Sequence, residues 1–406
     1  METLASRANG SSGLARGTNQ SGMRDANERL VLSLLRREPG RSKSEIARLT
    51  ALSLQTVSVI MRGLEEDGLL RRLEPKRGKI GQPSVPMALD PEGAFSFGVK
   101  IGRRSAELVL IDFLGNPRGM LRRAYRYPEP TETVKFVSEG VAELRSSLSP
   151  EQDKRITGLG IAMPFELWSW ADAAGAPREV MEAWRHRQIR EDIQASLPFP
   201  VYVENDATAA CGAELVFGNR DGIGEIGDFI YFYLGAFAGG GIVLNNSLYA
   251  GRSGNAGALG SMPVPSRDGP RQLIDVASLA ALEALLISQG HDGSRLWSNP
   301  DDWDDIGSSV DIWMEQAASA LAYAIAAASS VIDFEAAVID GWMPPFERGR
   351  LVGAVRSALS RIDAEGLELP AVFEGTVGSN ARALGAASLP LADRFLFGSG
   401  IIATRI

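Results

Sequence analysis

Cysteine is almost missing from this chain: its 406 residues carry one, Cys211, so no intrachain disulfide can form. That suits a reducing cytoplasm. Histidine is nearly as scarce. With only His186 and His291, a structural zinc site of the usual Cys/His kind cannot be assembled from the chain alone, and no metal or other cofactor is expected. No apolar run approaches the roughly 20 residues of a membrane span. The opening residues, METLASRANGSSGLARGTNQSG, lack the apolar core of a secretory signal. These absences exclude a disulfide-stapled scaffold and a membrane partner, and point to a cytoplasmic protein.

What is present is an ordinary globular balance, 45% hydrophobic and 23% charged, on a chain long enough for two or three domains. The net charge of −8 conceals an asymmetry. Residues 24–86 hold thirteen Lys and Arg against eight Asp and Glu, which leaves the rest of the chain strongly acidic. A basic head on an acidic body suits a polyanion that meets the head alone.

Residues 1–23, rich in Gly, Ser, Asn and Ala, read as a mobile arm. Three short helices follow in residues 24–88. NERLVLSLLRREPG places Leu30, Val31, Leu34 and Leu35 on one stripe and stops at Pro39-Gly40. Ser42 with Glu45 forms a capping box for the second helix, whose Ile46 and Leu49 face inward. Ser53 caps the third, LQTVSVIMRGLEEDG, with Val57, Ile60, Met61 and Leu64 buried. Gln55, Thr56, Val59 and Arg62 point the other way. Two helices, a tight turn and a polar face on the second fit a major groove. Gln55 has the donor and acceptor to bridge an adenine; Ser58 and Arg62 suit phosphates. LLRRLEPKRGKIGQPSVPMAL then reads as a β-hairpin wing with Lys76, Arg77 and Lys79 at its tip. A protein-interaction module can also be built from three helices, but the basic wing favours double-stranded DNA. The candidate DNA contacts are Ser53, Gln55, Thr56, Ser58, Arg62, Lys76, Arg77 and Lys79.

From residue 89 strands and helices alternate, as in an α/β body. FSFGVKI and AELVLIDFLG form a hairpin, and the stretch from Asp228, DFIYFYLGAFAGGGIVLNNSLYAG, forms a second of the same kind. The body is therefore expected to be two similar lobes, about 89–205 and 206–390, with a C-terminal helix returning to the first and a cleft between them. Glu204-Asn205-Asp206 sits where a strand ends and a helix begins, the crevice position for ligands in such folds. Asn205 and Asp206 offer the acceptors and donors that hydroxyls need, and either also suits a helix N-cap.

The helix-turn-helix with its wing, VENDATAACGAE, GGGIVLNNSLYAGRSGNAGALG and GSNARALGAA together resemble the ROK family of repressors, open reading frames and kinases, over residues 24–400. The resemblance implies an actin-like ATPase fold that binds sugar in its cleft. In ROK kinases the first turn reads Asp-x-Gly-Gly-Thr; here those places hold Lys100, Gly102, Arg103 and Arg104. The second phosphate turn reads Gly235-Ala236-Phe237-Ala238-Gly239-Gly240-Gly241, without its hydroxyl, and a later Gly-Gly pair has become Gly341-Trp342. Three such losses argue against ATP and against an enzyme. The two turn arginines can bind an anion such as a phosphorylated sugar, although a solvated turn or a contact with the acidic body is the plainer reading.

In the family, the residue matching Asp206 is the general base, and Asn205 and Asp206 both match sugar contacts. The zinc-and-sugar motif Gly-Glu-x-Gly-His is replaced by Gly257-Ala258-Leu259-Gly260-Ser261, and a later sugar-binding Glu falls at Ile274, next to Asp275. The candidate ligand residues are Asn205, Asp206, Gly257 and Ser261. Trp168 and Trp170 alternate with small polar residues in the loop before the second lobe. They can stack on a sugar face, though core packing explains them as simply. The whole is expected to be a regulator, more a repressor than an activator, of carbohydrate-related genes. Its partners would be operator DNA, a sugar-like effector and a second copy of itself, since a palindromic operator mirrors a two-fold axis. The alternative is an active ATP-dependent sugar kinase that carries a DNA-binding domain.

Overall fold

The computed structural model describes residues 20–75, 85–170, 176–219, 226–266, 269–298, 300–303 and 306–396. Lys76, Arg77 and Lys79, expected at the tip of a wing, lie outside them.

The head is built from α1 (Gln20–Arg37), α2 (Lys43–Thr50) and α3 (Leu54–Glu66), followed by the antiparallel pair β1 (Leu70–Arg72) and β2 (Met87–Leu89). α1 opens at Gln20, inside the segment expected to be a mobile arm to residue 23, because Met23, Arg24 and Ala26 are good helix formers continuous with the apolar stripe. Ser42 and Glu45 close the capping box in both directions. Leu49 departs from expectation: it is 38% exposed, since α2 buries Ile46 and rests Ala47 against the core rather than Leu49.

The first lobe carries β3 (Phe95–Ile101), β4 (Ser105–Asp112), β5 (Pro117–Ala124), α4 (Pro130–Arg145), β6 (Ile156–Ala162), α5 (Arg178–His186), α6 (Ile189–Gln194) and β7 (Val201–Glu204). Its sheet runs β5-β4-β3-β6-β7, antiparallel from β5 to β3 and parallel from β3 to β7. Every residue of β3, β4 and β6 is buried, as in strands covered on both faces. The edge strand β5 carries Arg118, Arg122 and Arg123, charges that discourage further pairing.

The second lobe follows α7 (Asp206–Phe217) with β8 (Phe229–Leu234), β9 (Ala238–Leu244), β10 (Ser247–Leu248), β11 (Pro263–Val264), β12 (Arg271–Gln272), α8 (Leu273–Ala277), α9 (Leu279–Ser288), α10 (Gly307–Ser329), β13 (Ala336–Gly341), α11 (Pro345–Leu359), β14 (Ala371–Glu374) and α12 (Ala381–Phe395). Its main sheet runs β10-β9-β8-β13-β14 with the same sequence of antiparallel and parallel pairings as the first. The two hairpins read as equivalents in the sequence thus occupy equivalent places.

Between the sheets, α12 lies on β3 and β6 while α7 lies on β8 and β9, and the two helices pack on each other. The approach is near backbone contact. A Cβ on Gly160 would fall 1.8 Å from the Ala386 carbonyl oxygen, and one on Gly385 would fall 1.9 Å from that of Ala209. The far end of α12 meets the head: Val31, Leu35, Leu64 and Leu89 form one apolar cluster with Val109, Ile111, Ala387, Leu391 and Phe395. Arg36 is sealed into this seam. It donates to the Phe113 carbonyl at 2.6 Å and lies over the Phe113 ring, and burial pushes its guanidinium down to about 10.

Candidate functional site

The exposed face of α3 is one candidate surface. The Ser53 hydroxyl accepts the Thr56 N–H at 3.0 Å, which fixes the first turn. Ser58 donates back along the helix to the Leu54 carbonyl at 2.8 Å. Gln55, Val59 and Arg62 stand outward at helical spacing, and Leu54 and Val59 are 55% and 57% exposed. Apolar groups beside an amide and a guanidinium match what a major groove presents: thymine methyls, base edges and phosphates.

The second candidate is the cleft between the lobes, a cavity of about 200 Å³ at the N-terminus of α7. It brings Asn205, Asp206, Gly257 and Ser261 together, joined by Tyr233, Asn255, Ile274 and Arg382. Asn205 is the N-cap of α7: its side-chain oxygen accepts the N–H groups of Ala207 at 3.1 Å and Thr208 at 3.4 Å, leaving its amide group free to donate. Asp206 is therefore not the cap. It occupies the first turn and accepts from the Arg382 Nη1 at 3.3 Å. Gly257 sits at φ +80°, where a Cβ would approach Gly241 Cα to 2.8 Å. Ile274 lines the wall at the place where the resemblance put a carboxylate. Asp275 instead accepts the Gln272 N–H at 3.3 Å.

Arg382 went unremarked in the sequence. It stands in the first turn of α12 among small and apolar residues, and that isolated charge is the signal it left. Its guanidinium lies 4.9 Å from the Tyr233 ring centroid. Burial opposes its charge, but Tyr233, Asp206 and Glu107 hold it above the ordinary arginine value.

Beside this cleft the β3–β4 turn faces the second lobe. Lys100, at the position of the family's acid, is buried and donates to the Ser105 hydroxyl at 3.0 Å and to Glu107 at 3.2 Å. Burial, then the charge of Arg382, pushes it down to about 8. Despite its own burial, Glu107 is held below the usual carboxylate range by Lys100 and Arg382. Arg103 and Arg104 reach Glu283 on α9 at 3.7 and 3.8 Å, so the contact with the acidic body is the arrangement found. Trp342 is buried with its ring under Arg122.

Trp168 packs against the first-lobe core rather than lining the cleft, and the Trp170 side chain is outside those described. Glu204 is buried, accepts the Asn205 N–H at 2.7 Å, and is pushed up to about 7 by burial. Among the described residues no cluster of His, Cys, Asp and Glu suits a metal ion, and no helix is long and apolar enough to cross a membrane.

Comparison with known proteins adds to this geometry. A family model described as ROK family matches residues 96–392, and one described as winged helix-turn-helix DNA-binding matches residues 24–71. An uncharacterized protein of Sinorhizobium fredii is 26% identical over 373 residues, 92% of each chain. The xylose repressor of Bacillus subtilis is 24% identical over 251 residues, 61% of this chain and 62% of that one, so less than two thirds of the repressor is spanned. Among solved structures, a ROK family transcriptional regulator described as a homolog of the Escherichia coli MLC protein shares the fold at a TM-score of 0.63 and 19% identity, covering 91% of this chain and 96% of that one. A ROK family glucokinase from Streptomyces griseus, in complex with glucose and AMPPNP, aligns at a TM-score of 0.55 and 22% identity over 73% of this chain and 99% of that one.

Proposed function

The chain belongs to the ROK family, and from that premise we propose that it is a DNA-binding transcriptional repressor whose body is a non-catalytic sensor of a sugar-like ligand and whose working form is a homodimer. The head supports the first half of this reading through its capped α3 with Gln55 and Arg62 outward, and through its match to DNA-binding winged helices. Similarity to xylose repressors supports the second half.

One observation carries the link between them. The first turn of α12 holds Asp206 in the cleft through Arg382, and its last turns build the core of the head. A hydroxyl that replaces Arg382 on Asp206 acts on the same rigid rod that seats α1. In a two-fold dimer a small shift of that rod changes the spacing of two recognition helices. A hundredfold change in DNA affinity takes about 3 kcal/mol of coupling.

The turns support a non-catalytic body. Lys100 stands where the family has its acid and is held by Glu107, and the carbonyls of Gly235 and Ala236 accept the Leu279 and Ala280 N–H groups at the start of α9. The kinase reading keeps one feature, the carboxylate of Asp206 beside the cleft.

Fluorescence anisotropy with duplexes from the chain's own promoter region tests the proposal. Binding that steepens as salt is lowered and is released by a sugar is the expected result. A chain indifferent to those duplexes refutes it, and ADP release with a sugar that depends on Asp206 establishes the kinase instead.

A further inference from the structure

The β3–β4 turn does more than fill the space between the lobes. Five cationic groups, those of Lys100, Arg103, Arg104, Arg122 and Arg382, surround a gap of about 40 Å³ walled by Trp297 and Trp342. Three carboxylates stand among them. Glu107 is shared by Lys100 at 3.2 Å and Arg122 at 3.6 Å, Glu283 by Arg103 and Arg104, and Asp206 is held by Arg382. The balance around the gap is positive.

The partnership with Glu283 is loose. Its contacts to the two guanidinium groups are 3.7 and 3.8 Å, beyond hydrogen-bond length, and its Oε1 already accepts the Trp297 Nε1–H at 2.9 Å. The Nε atoms of Arg103, Arg104 and Arg382 are buried and have no hydrogen-bond partner among the described residues. Buried unpaired donors are costly, and a planar guanidinium fork matches an oxyanion. Arg382 lines both this gap and the cleft holding Asn205 and Asp206, so the two are neighbours across its guanidinium.

We propose that this interlobe gap is an anion subsite, in which Arg103, Arg104 and Arg382 receive the phosphate or carboxylate of an acidic sugar whose hydroxyls meet Asn205 and Asp206. The sugar half of that statement rests on the sensor reading; the anion half rests on the arginines alone. The entering oxyanion takes the place of Glu283 on Arg103 and Arg104, so its binding loosens the contact across the lobes. Burial first, and then the charge of Arg382, depresses the basicity of Lys100, and Glu107 opposes them only in part.

The test uses the full chain and two sets of probes. Inorganic phosphate, compared with chloride at equal ionic strength, raises the melting temperature of the unaltered protein. The double variant R103Q/R104Q loses this response. Glu283→Gln, which removes the internal competitor, binds phosphate at least about tenfold more tightly. No phosphate-specific shift, or an equal shift in R103Q/R104Q, overturns the subsite. A merely structural role for the arginines does not give opposite signs in the two variants.

The second set is D-glucose, D-glucose 6-phosphate and D-gluconate by calorimetry. The acidic sugars bind at least about tenfold more tightly than the neutral one, a preference abolished in R103Q/R104Q. The pattern across the three distinguishes phosphate from carboxylate. Equal binding of neutral and acidic sugars overturns the subsite and leaves the sensor standing. Phosphate binding with no response to any sugar sinks the sensor and leaves the subsite.

Discussion

Two hairpin turns hold equivalent places in the two lobes, and they are tied to α9 by opposite means. The β3–β4 turn reaches out with side chains: Arg103 and Arg104 cross to Glu283 over distances that allow charge attraction but no hydrogen bond. The β8–β9 turn is fastened by backbone and one hydroxyl: its carbonyls accept the first N–H groups of α9, and the Ala238 N–H donates to the buried Ser278 hydroxyl at 2.7 Å. A contact made of exchangeable charges can be contested by a soluble anion. A contact made of main-chain hydrogen bonds in a dry interior cannot. The proposed anion subsite therefore falls at the first of these turns and not at the second.

The strongest way to break the comparison is to break the frame on which both turns hang. Gly385→Val puts a side chain into the Ala209 carbonyl, and overpacking of backbone against backbone is expected to cost more than about 4 kcal/mol, read as loss of the cooperative melt by circular dichroism. Asp206→Ala comes next. It leaves buried Arg382 without its carboxylate, at roughly 3 kcal/mol in urea unfolding, and abolishes the sugar response; Asp206→Asn, which still accepts a hydrogen bond, loses less stability.

Acidity separates the frame from the turns. Glu204 is raised to about 7 in the folded protein by burial, so the folded state favours its protonated form. Its contribution is fully present below the unfolded value near 4.5 and is lost as pH rises through 7, an effect of up to roughly 3 kcal/mol. Glu204→Gln is expected to flatten the fall in melting temperature between pH 5 and pH 8; an unchanged slope contradicts the assignment. Smallest is the direct contest between turns. Ser278→Ala strands the Ala238 N–H and costs about 1–2 kcal/mol, whereas Arg104→Ala, with a long and partly exposed ion pair, changes stability by less than about 0.5 kcal/mol. Equal losses in urea unfolding would erase the distinction.

What the sequence disclosed follows the range of each interaction. The capping box of Ser42 with Glu45, the cap at Ser53 and the two hairpins were legible because each is complete within one local stretch, the longest being Phe95–Asp112. Asn205, Asp206, Gly257, Ser261 and Ile274 were legible as motif positions, and the fold gathers them into one cleft. Arg382 was overlooked because its partner lies 176 residues away, and its one local signal, a lone charge among small and apolar residues, does not say what the charge meets. Leu49 misled for the opposite reason: helical spacing from Ile46 suggested burial, but only the placement of α1 and α3 decides which side of an eight-residue helix is covered.

The seam around Arg36 bears on modularity. A reader of DNA joined by a tether can be exchanged for another, whereas this one shares its apolar interior with β4 and α12 and plugs a guanidinium between the Phe113 and Phe217 rings. Excising residues 20–89 would bare Val109, Ile111 and Leu391 to water. A graft of a foreign head would have to bring its own matching underside. Chimeras that retarget this protein to a new operator are therefore better made by rewriting the outward residues of α3 than by transplanting the whole unit.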